Sequence, residues 1–327
     1  MLPRPPQNRA RAHTARTPFS PLPLTSGSSA LAARTLLTAA IATMQHALRA
    51  PAGAALAPRR AAAAGLSTFR ARRASVRVFA WGEPVSFRKA SLAGNSSATP
   101  DGGLRTLLLR LPEDAARTFT YPGQYVQIKP SAPEDAKPAY IALASSPADV
   151  ANNAGVVELL VKPQPGATAE VLCGLGEGDE VLVSDAQGKG FPLDRCPADK
   201  FPTVLLFATG SGISPIRSLI ESGALKGRKD VRLYFGTRSP QHTAYADLAS
   251  GSWAAEHGVK VTHVYSEGEG GRYVQDAFAA AGGIGALEGV DASKTCVVLV
   301  GQKQMSEALK EALGAAGVSA EAFLSNF

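Results

Sequence analysis

The pattern of hydrophobic and polar positions divides the chain into two parts with different rhythms. From residue 76 to residue 192, short apolar or alternating stretches are separated by glycine and proline turns. Several short strands with turn signals between them are typical of an all-β barrel or sandwich. One helix is expected within this part, over residues 168–173. The predicted strands are 104–111, 124–130, 139–145, 156–163 and 179–185.

From about residue 201, near-continuous apolar runs alternate with helical patterns. Apolar runs of this kind are typical of strands that helices cover on both faces of the sheet, so this part predicts a doubly wound parallel sheet. The predicted strands are 203–208, 231–236, 259–266 and 296–301, and the predicted helices are 215–222, 244–257, 273–281 and 306–317. The predicted fold is therefore a β-barrel domain over residues 76–197 followed by an α/β doubly wound parallel-sheet domain over residues 198–327.

The distribution of charge sets residues 1–75 apart from the rest. The formal net charge is +7, but all 27 acidic residues lie at or after Glu83, and residues 1–82 contain 12 Arg and no Lys. Residues 83–327 therefore carry 22 basic and 27 acidic side chains, a net charge of −5. An Arg-rich leader without acidic residues is typical of a disordered transit peptide, with processing expected near residues 65–80. Its Ser, Thr, Pro and Ala content favours the chloroplast stroma, with the mitochondrion as the alternative.

Two other classes of partner find little support in the sequence. A retained basic tail that binds RNA is the alternative interpretation of the leader, but the acidic body has no basic groove with aromatic platforms, so no nucleic acid partner is expected. The apolar stretch 35–48 is shorter than the roughly 20 residues that a membrane span needs, and we interpret it as an amphipathic presequence helix. No transmembrane segment is predicted.

The three cysteines, Cys173, Cys196 and Cys296, are far apart and form no CxxC pair. This spacing predicts neither a metal site nor a disulfide framework. Each cysteine is expected to be a small apolar filler.

Glycine turns follow three of the predicted strands. The turn "TGSG" at residues 209–212 lies between an apolar strand and a helix, whose first N–H groups carry partial positive charge and suit a phosphate. It matches neither the P-loop nor the G-x-G-x-x-G fingerprint, and a tight turn that binds nothing is the alternative. The segments 234–238 and 298–305 repeat the strand–glycine pattern. Three such strand ends at one edge of a sheet predict a single nucleotide crevice.

Five segments, in this order, resemble the ferredoxin–NADP reductase superfamily of flavin oxidoreductases, and the resemblance covers residues 76–327. It is strongest to a plant and algal plastid subgroup of FAD/NAD(P)-binding oxidoreductases. The resemblance implies an FR-type barrel that binds FAD and a second domain that binds NAD(P)H. The segments are "YPGQYVQI" (121–128), "LGEGDEVLVSDAQGKGF" (175–191), "ATGSGISPIRS" (208–218), "LYFGTRS…YADL" (233–248) and "RYVQDAF" (272–278).

The same resemblance implies an activity. A hydride would pass between NAD(P)H and bound FAD, and electrons would then go to an acceptor that stays open, a small electron-carrier protein being one candidate. Tyr140 would pack on one face of the flavin ring. Phe327 would cover the other face until nicotinamide displaces it, or it would instead close the hydrophobic core.

The cofactor-binding residues that the resemblance implies lie in both domains, and no metal ligand is among them. Ser266, Arg272 and Tyr273 favour NADPH, whereas Glu267 would repel a 2′-phosphate. The implied residues of the barrel are Gln124, Tyr140, Ile141, Ala142, Leu160, Val161, Lys162, Gly166, Ala167, Thr168 and Ala169. Those of the second domain are Thr209, Gly210, Ser211, Gly212, Pro215, Gly236, Thr237, Arg238, Ser266, Arg272, Tyr273, Gln275, Gly301, Gln302 and Met305.

The chain departs from the family pattern at the flavin site. The R-x-Y-[ST] signature reads "PAYI" at 138–141, so its Arg is replaced by Pro138, with Lys137 as a possible substitute cation one position away. Ala169 stands where a hydroxyl is expected, and "VGQ" at 300–302 has no thiol, which excludes a thiol-assisted hydride step there. The alternative function is therefore a flavin-poor, nucleotide-binding regulatory or partner module on the same fold.

Overall fold

A computed structural model describes residues 85–326. These residues belong to one compact unit that spans residues 77–327. The predicted transit peptide, the presequence helix within it and the predicted role of Phe327 lie outside the described residues.

The first half folds into an antiparallel barrel. Its six strands pair in the order β4-β3-β6-β1-β2-β5, and a bridge between Leu143 and Leu159 joins the two edges, so that the barrel is nearly closed. Alternate side chains such as Leu107, Leu109 and Val157 point inward and are fully buried. The strands are β1 (Phe87–Ser97), β2 (Arg105–Arg110), β3 (Tyr125–Pro130), β4 (Ala139–Ala142), β5 (Val156–Val161) and β6 (Glu180–Ser184).

The five strands predicted for this half are confirmed as β2 to β6, and the predicted helix is confirmed as α3 (Thr168–Gly174), which follows α1 (Glu113–Ala116) and α2 (Pro147–Asn152). The sequence analysis did not predict β1. Its sequence, "FRKASLAGNSS", offers only Ala90 and Leu92 to the core, and its pairing with β2 shifts register between Leu92 and Gly94. A polar strand with a bulge lacks the apolar run that marks the other strands.

The second half contains a five-stranded sheet in the order β11-β10-β7-β8-β9, and every strand pair is parallel. Every residue of β10, and all of β7 except Thr209, is buried. The predicted fold class, a β-barrel followed by an α/β parallel sheet, is thus confirmed. The strands are β7 (Thr203–Thr209), β8 (Asp230–Thr237), β9 (Val259–Tyr265), β10 (Thr295–Val300) and β11 (Phe323–Leu324).

The predicted helix over residues 244–257 is wrong. Two short helices occupy this region, with Gly251 between them at φ −110° and ψ −97°. Tyr245 precedes them in the left-handed region at φ 58°, where its hydroxyl reaches Glu158 on the barrel, so no helix can start at residue 244. The helices of this half are α4 (Ile213–Glu221), α5 (Ala246–Ser250), α6 (Ser252–Ala255), α7 (Val274–Ala280) and α8 (Lys303–Ala315).

The strand order creates a switch point between β7 and β10. The chain adds β8 and β9 on one side of β7 and then returns to place β10 on the other side. In open α/β sheets the ligand crevice lies at the carboxyl ends of the strands where the order reverses. The loops after β7 and β10 are therefore the expected position of a ligand site. Within residues 85–326, the helices are too short or too polar to cross a bilayer.

Candidate functional site

The loop after β7 is open toward the switch point. It forms a single 3₁₀ turn, Gly210–Gly212, before α4 begins. Gly210 has φ +53°, and a Cβ built on it would meet no atom within 4 Å. The first turn of α4 has no side-chain cap bond, and the N–H of Ile213 donates to the Gly210 carbonyl within the preceding turn. The predicted glycine turn between a strand and a helix is thus confirmed, and its binding of an anion stays a prediction.

The loop after β10 packs directly against this turn. The backbone N–H of Gln302 donates a hydrogen bond to the Thr209 hydroxyl at 3.1 Å. A Cβ on Gly212 would lie 2.8 Å from the Val300 carbonyl oxygen. The two strand-end loops therefore form one continuous wall, and small residues are required where they touch.

A first cavity of about 420 Å³ lies between this wall and the barrel, and we call it the barrel-side cavity. On the barrel, the ring of Tyr140 on β4 is 63% exposed. The Ser214 hydroxyl of α4 donates to the Ala142 carbonyl of β4 at 3.1 Å, which fixes the spacing between barrel and sheet. The lining residues are Tyr140, Ile141, Ala142, Leu160, Lys162, Thr209, Gly210, Ser211, Gly212, Ser214, Pro215, Val300, Gly301, Gln302 and Asn326.

A second cavity of about 400 Å³, the outer cavity, extends along the ends of β8 and β9. Both volumes fall within the range of small-molecule sites. The outer cavity is lined by Thr99, Asp101, Gly103, Leu104, Lys162, Thr209, Gly210, Ser211, Gly236, Thr237, Arg238, His242, Val264, Ser266, Glu267, Arg272, Tyr273, Val274, Gln275 and Gln302. Lys162, Thr209, Gly210, Ser211 and Gln302 line both cavities, so the two form one cleft.

Charged side chains of both signs line the outer cavity. Its cations are Lys162, Arg238 and Arg272, and its acids are Asp101 and Glu267. Among residues 85–326, none of the three cations has an ion-pair partner. Cations without an ion-pair partner favour an anionic ligand such as a phosphate.

Asp101 is held on the barrel hairpin between β1 and β2. Its backbone N–H donates to the Gln241 carbonyl at 3.1 Å, and its carboxylate lies 3.5 Å from Nε2 of His242. A hydrogen bond from Thr99 lowers the pKa of Asp101, and burial offsets part of this effect. The hairpin thus brings an anionic carboxylate to the rim of the outer cavity.

Asn326 joins the chain's last described strand to the barrel. It is 3% exposed, and its Nδ2 donates to the Gly123 carbonyl at 3.1 Å. Its Oδ1 is buried, and no group within residues 85–326 donates to it. A buried amide oxygen without a partner is costly, and this one belongs to a residue that lines the barrel-side cavity.

A buried ionic network ties the barrel to α4 beside the cleft. Arg217 on α4 contacts Glu158 on β5 at 2.7 Å and Glu221 at 3.0 Å, and all three side chains are less than one-fifth exposed. Tyr245 donates to Glu158 at 2.8 Å, and Trp253 donates to Glu221 at 3.0 Å. Burial alone would lower the pKa of Arg217, but the two carboxylates outweigh it and hold this pKa above its ordinary value. We call these five residues the Arg217 network.

The structure brings most of the predicted cofactor residues into the cleft. They are Tyr140, Ile141, Ala142, Leu160, Lys162, Thr209, Gly210, Ser211, Gly212, Pro215, Gly236, Thr237, Arg238, Ser266, Arg272, Tyr273, Gln275, Gly301 and Gln302.

Seven predicted residues line neither cavity. The side chains of Val161, Ala169 and Met305 are buried in the hydrophobic cores. Gln124 accepts from the backbone N–H groups of Thr120 and Tyr121 and donates to the Gly188 carbonyl, so it braces a barrel loop instead. The remaining three, Gly166, Ala167 and Thr168, lie at the start of α3.

Sequence reasoning missed the residues that reach the cleft from distant parts of the chain. Some come from the β1–β2 hairpin, where "TPDGG" reads only as a turn, and His242 comes from a short 3₁₀ segment. Asn326 gave one weak signal, a polar residue at the end of a strand-like tail. The missed residues are Thr99, Asp101, Gly103, Leu104, Ser214, His242, Val264, Val274, Val300 and Asn326.

Comparisons with known proteins agree with this arrangement. A family model described as the oxidoreductase NAD-binding domain matches residues 206–311. The fruit protein pKIWI502 of Actinidia deliciosa is 39% identical over 222 residues, 64% of this chain and 67% of that protein. Phthalate dioxygenase reductase of Burkholderia cepacia is 33% identical over 103 residues, 31% of this chain and 30% of that protein. A crystal structure of a ferredoxin NADP+ reductase from Neisseria gonorrhoeae with bound FAD and NADP superposes with a TM-score of 0.61 at 18% identity, over 75% of this chain and 100% of that one.

Proposed function

Because this chain belongs to the ferredoxin–NADP reductase superfamily, we propose that it is an NAD(P)H-dependent flavin oxidoreductase. It passes a hydride between NAD(P)H and a flavin, with FAD as the form that the family resemblance implies. Electrons then pass to an acceptor outside the chain. The observation that carries this proposal is the continuous cleft, in which the exposed ring of Tyr140 faces the glycine turn after β7.

The residues of the barrel-side cavity suit a flavin ring. Tyr140 offers an exposed aromatic face, and Ile141 and Leu160 offer apolar contact. The buried Oδ1 of Asn326 has no donor among the described residues and is an acceptor for an N–H group of the flavin. A flavin bound there supplies a two-electron acceptor that the side chains themselves lack.

The nucleotide side of the cleft positions NAD(P)H. The glycine turn before α4, with the open backbone of Gly210, binds its diphosphate, and Lys162 adds a positive charge between the two cavities. The hydrogen bond from Ser214 to Ala142 keeps the diphosphate site at a set distance from β4. Ile141, Leu160 and Val300 add apolar surface to the barrel-side cavity beside this polar turn.

The outer cavity supports a preference for NADPH. Arg238, Arg272 and Ser266 can hold a 2′-phosphate, whereas Asp101 and Glu267 oppose it. Three cations against two acids, with Lys162 included, leave a positive balance in the cavity. A higher affinity for NADH than for NADPH would overturn this part of the proposal.

The decisive test is the visible spectrum of the full-length protein with added FAD, before and after anaerobic addition of NADPH or NADH. We expect loss of the oxidised-flavin absorbance. Tyr140→Ala should slow the reduction by about ten-fold, because a stacked aromatic contact is lost. Tyr121→Ala is the matched control, since this ring is equally exposed at 61% but lines neither cavity. Persistent flavin absorbance would favour the alternative, a nucleotide-binding module.

The composition of residues 1–82 supports a location in the chloroplast. We place the protein in the chloroplast stroma, within a plastid subgroup of the superfamily, because residues 1–82 are Arg-rich and lack acids. The mitochondrion remains the alternative compartment. The electron acceptor is the least constrained part of the proposal, and a small electron-carrier protein is one candidate.

A further inference from the structure

The polar groups at the start of α3 are engaged by the chain itself. The backbone N–H of Gly166 donates to a Glu170 carboxylate oxygen at 2.7 Å. The Thr168 hydroxyl donates to the Lys137 carbonyl at 2.6 Å. The residue next to that carbonyl is Pro138, which has neither an N–H group nor a charge. The Gly166 N–H and the Thr168 hydroxyl are therefore already engaged within the chain.

A phosphate needs the opposite arrangement, namely free donors and positive charge. Here the Glu170 carboxylate caps the turn, and a second anion beside it would be repelled. α3 has only seven residues, so it offers little compensating dipole. The cations on either side, Lys137 and Lys162, are both exposed, and an exposed ammonium group contributes about 1 kcal/mol or less.

The shape of the cleft leads to the same conclusion. From β5 and the segment that follows it, Leu160 and Lys162 line the cleft, but none of residues 166–169 does. Tyr140, in contrast, presents its ring directly to the barrel-side cavity. The barrel therefore offers contacts to a flavin ring, whereas at α3 the Gly166 N–H and the Thr168 hydroxyl are bonded to partners within the chain.

We propose that the protein binds flavin by the ring alone and takes it from solution as an exchangeable substrate, with Glu170 turning the phosphate tail away. This inference rests on the proposed function and names the electron acceptor that it left open. The flavin ring takes a hydride from NAD(P)H and one proton from water. NAD(P)+ and two-electron-reduced flavin are the products, and the reduced flavin leaves with the electrons.

The test compares riboflavin, FMN and FAD as ligands of the full-length protein, by equilibrium fluorescence titration. Riboflavin has no phosphate, FMN has one and FAD has a diphosphate with adenosine. We expect the three dissociation constants to agree within about three-fold, since an exposed tail adds little binding energy. A preference for FMN or FAD over riboflavin of ten-fold or more would overturn the inference.

Glu170→Gln provides the second measurement. The glutamine oxygen can still accept from Gly166, so the turn keeps its hydrogen bond while the charge is lost. We expect FMN and FAD to bind about two- to five-fold more tightly and riboflavin to bind as before. Glu177→Gln is the control, because it removes the same charge from an exposed residue beyond α3. Identical results for the two variants would contradict the role assigned to Glu170.

Failure of this inference can be told apart from failure of the proposed function. If FAD co-purifies with the protein, stays bound through gel filtration and is reduced by NAD(P)H, the proposed function holds and only the ring-alone binding mode is wrong. If no flavin binds or none is reduced, the oxidoreductase proposal itself is wrong.

Discussion

Gly301 shows how one absent side chain shapes the cleft. It follows β10 with φ +141°, and a Cβ on it would lie 2.0 Å from the Thr209 hydroxyl oxygen and 3.0 Å from the Thr209 nitrogen. The sequence analysis selected Gly301 as a cofactor-binding residue from its position after an apolar strand. The structure gives it a further role, because only glycine lets the loops after β7 and β10 touch.

Gly301→Ala should destabilise the protein by about 2–4 kcal/mol, from backbone strain together with overpacking against Thr209. We also expect weaker binding of NADPH, because the diphosphate turn would shift. Denaturant unfolding and a nucleotide titration measure the two effects. Gly314→Ala is the control, because a Cβ in that position on α8 meets no atom within 4 Å. Wild-type stability and affinity in Gly301→Ala would contradict this account.

Asp230, at the start of β8, should make the stability depend on acid pH. Burial raises its pKa, but Lys260 at 2.8 Å and Arg232 at 2.7 Å outweigh burial and lower the pKa overall. A lowered pKa in the folded state means that the stabilisation is complete above about pH 4 and is lost as the pH falls through the folded-state pKa.

Asp230→Asn should therefore cost about 1 kcal/mol at pH 7, and the difference from wild type should shrink at about pH 3. Urea unfolding at the two pH values measures this. Asp199→Asn serves as the reference, since Asp199 is exposed and has no ion pair among the described residues. A difference that stays constant with pH would contradict the assignment.

At the scale of elements, apolar runs predicted most of the sheet strands, because β7 and β10 are buried on both faces and need apolar side chains at every position. They could not predict β1, which is half polar and bulged. Nor could local patterns foresee that Tyr245 adopts the left-handed region, since its hydroxyl bonds to Glu158 far away in the sequence. The Arg217 network is a tertiary feature that joins elements of both halves.

Arg217→Met should destabilise the protein by about 3–5 kcal/mol, because Glu158 and Glu221 would remain as buried carboxylates without a cation. Since α4 carries the diphosphate turn at its start, the rate of flavin reduction should also fall. Stopped-flow absorbance and chemical unfolding give the two readings. Adding Glu158→Gln and Glu221→Gln to Arg217→Met should restore much of the stability. A triple variant no more stable than Arg217→Met would contradict the electrostatic explanation.

At the scale of the whole molecule, the sequence predicted the cleft's sheet side well and its barrel side poorly. Strand-end glycines can be recognised because they follow apolar runs, and parallel strands bring their carboxyl ends together. Asp101 and His242 meet only because the barrel hairpin folds over the sheet, and no local pattern records that packing. No local pattern records how the barrel packs on the sheet, and for this reason the sequence could not show that the implied residues of α3 lie away from the cleft.

The transit-peptide prediction can be tested with residues 1–82 alone. Residues 1–82 fused to a fluorescent protein should enter chloroplasts in plant cells, because the segment contains 12 Arg and no acidic residue. Replacing Arg59, Arg60, Arg70, Arg72 and Arg73 with Glu should abolish import. Fluorescence in mitochondria would select the alternative compartment, and fluorescence in the cytosol would contradict the transit peptide.

The position of Asn326 has a practical consequence for anyone who handles this protein. Its side chain is 3% exposed, lines the barrel-side cavity and bonds to the Gly123 carbonyl. An extension joined close to Asn326 would thus begin beside the barrel-side cavity. A purification tag belongs ahead of Val85, because a tag at the opposite end would crowd the ligands whose binding it was meant to help measure.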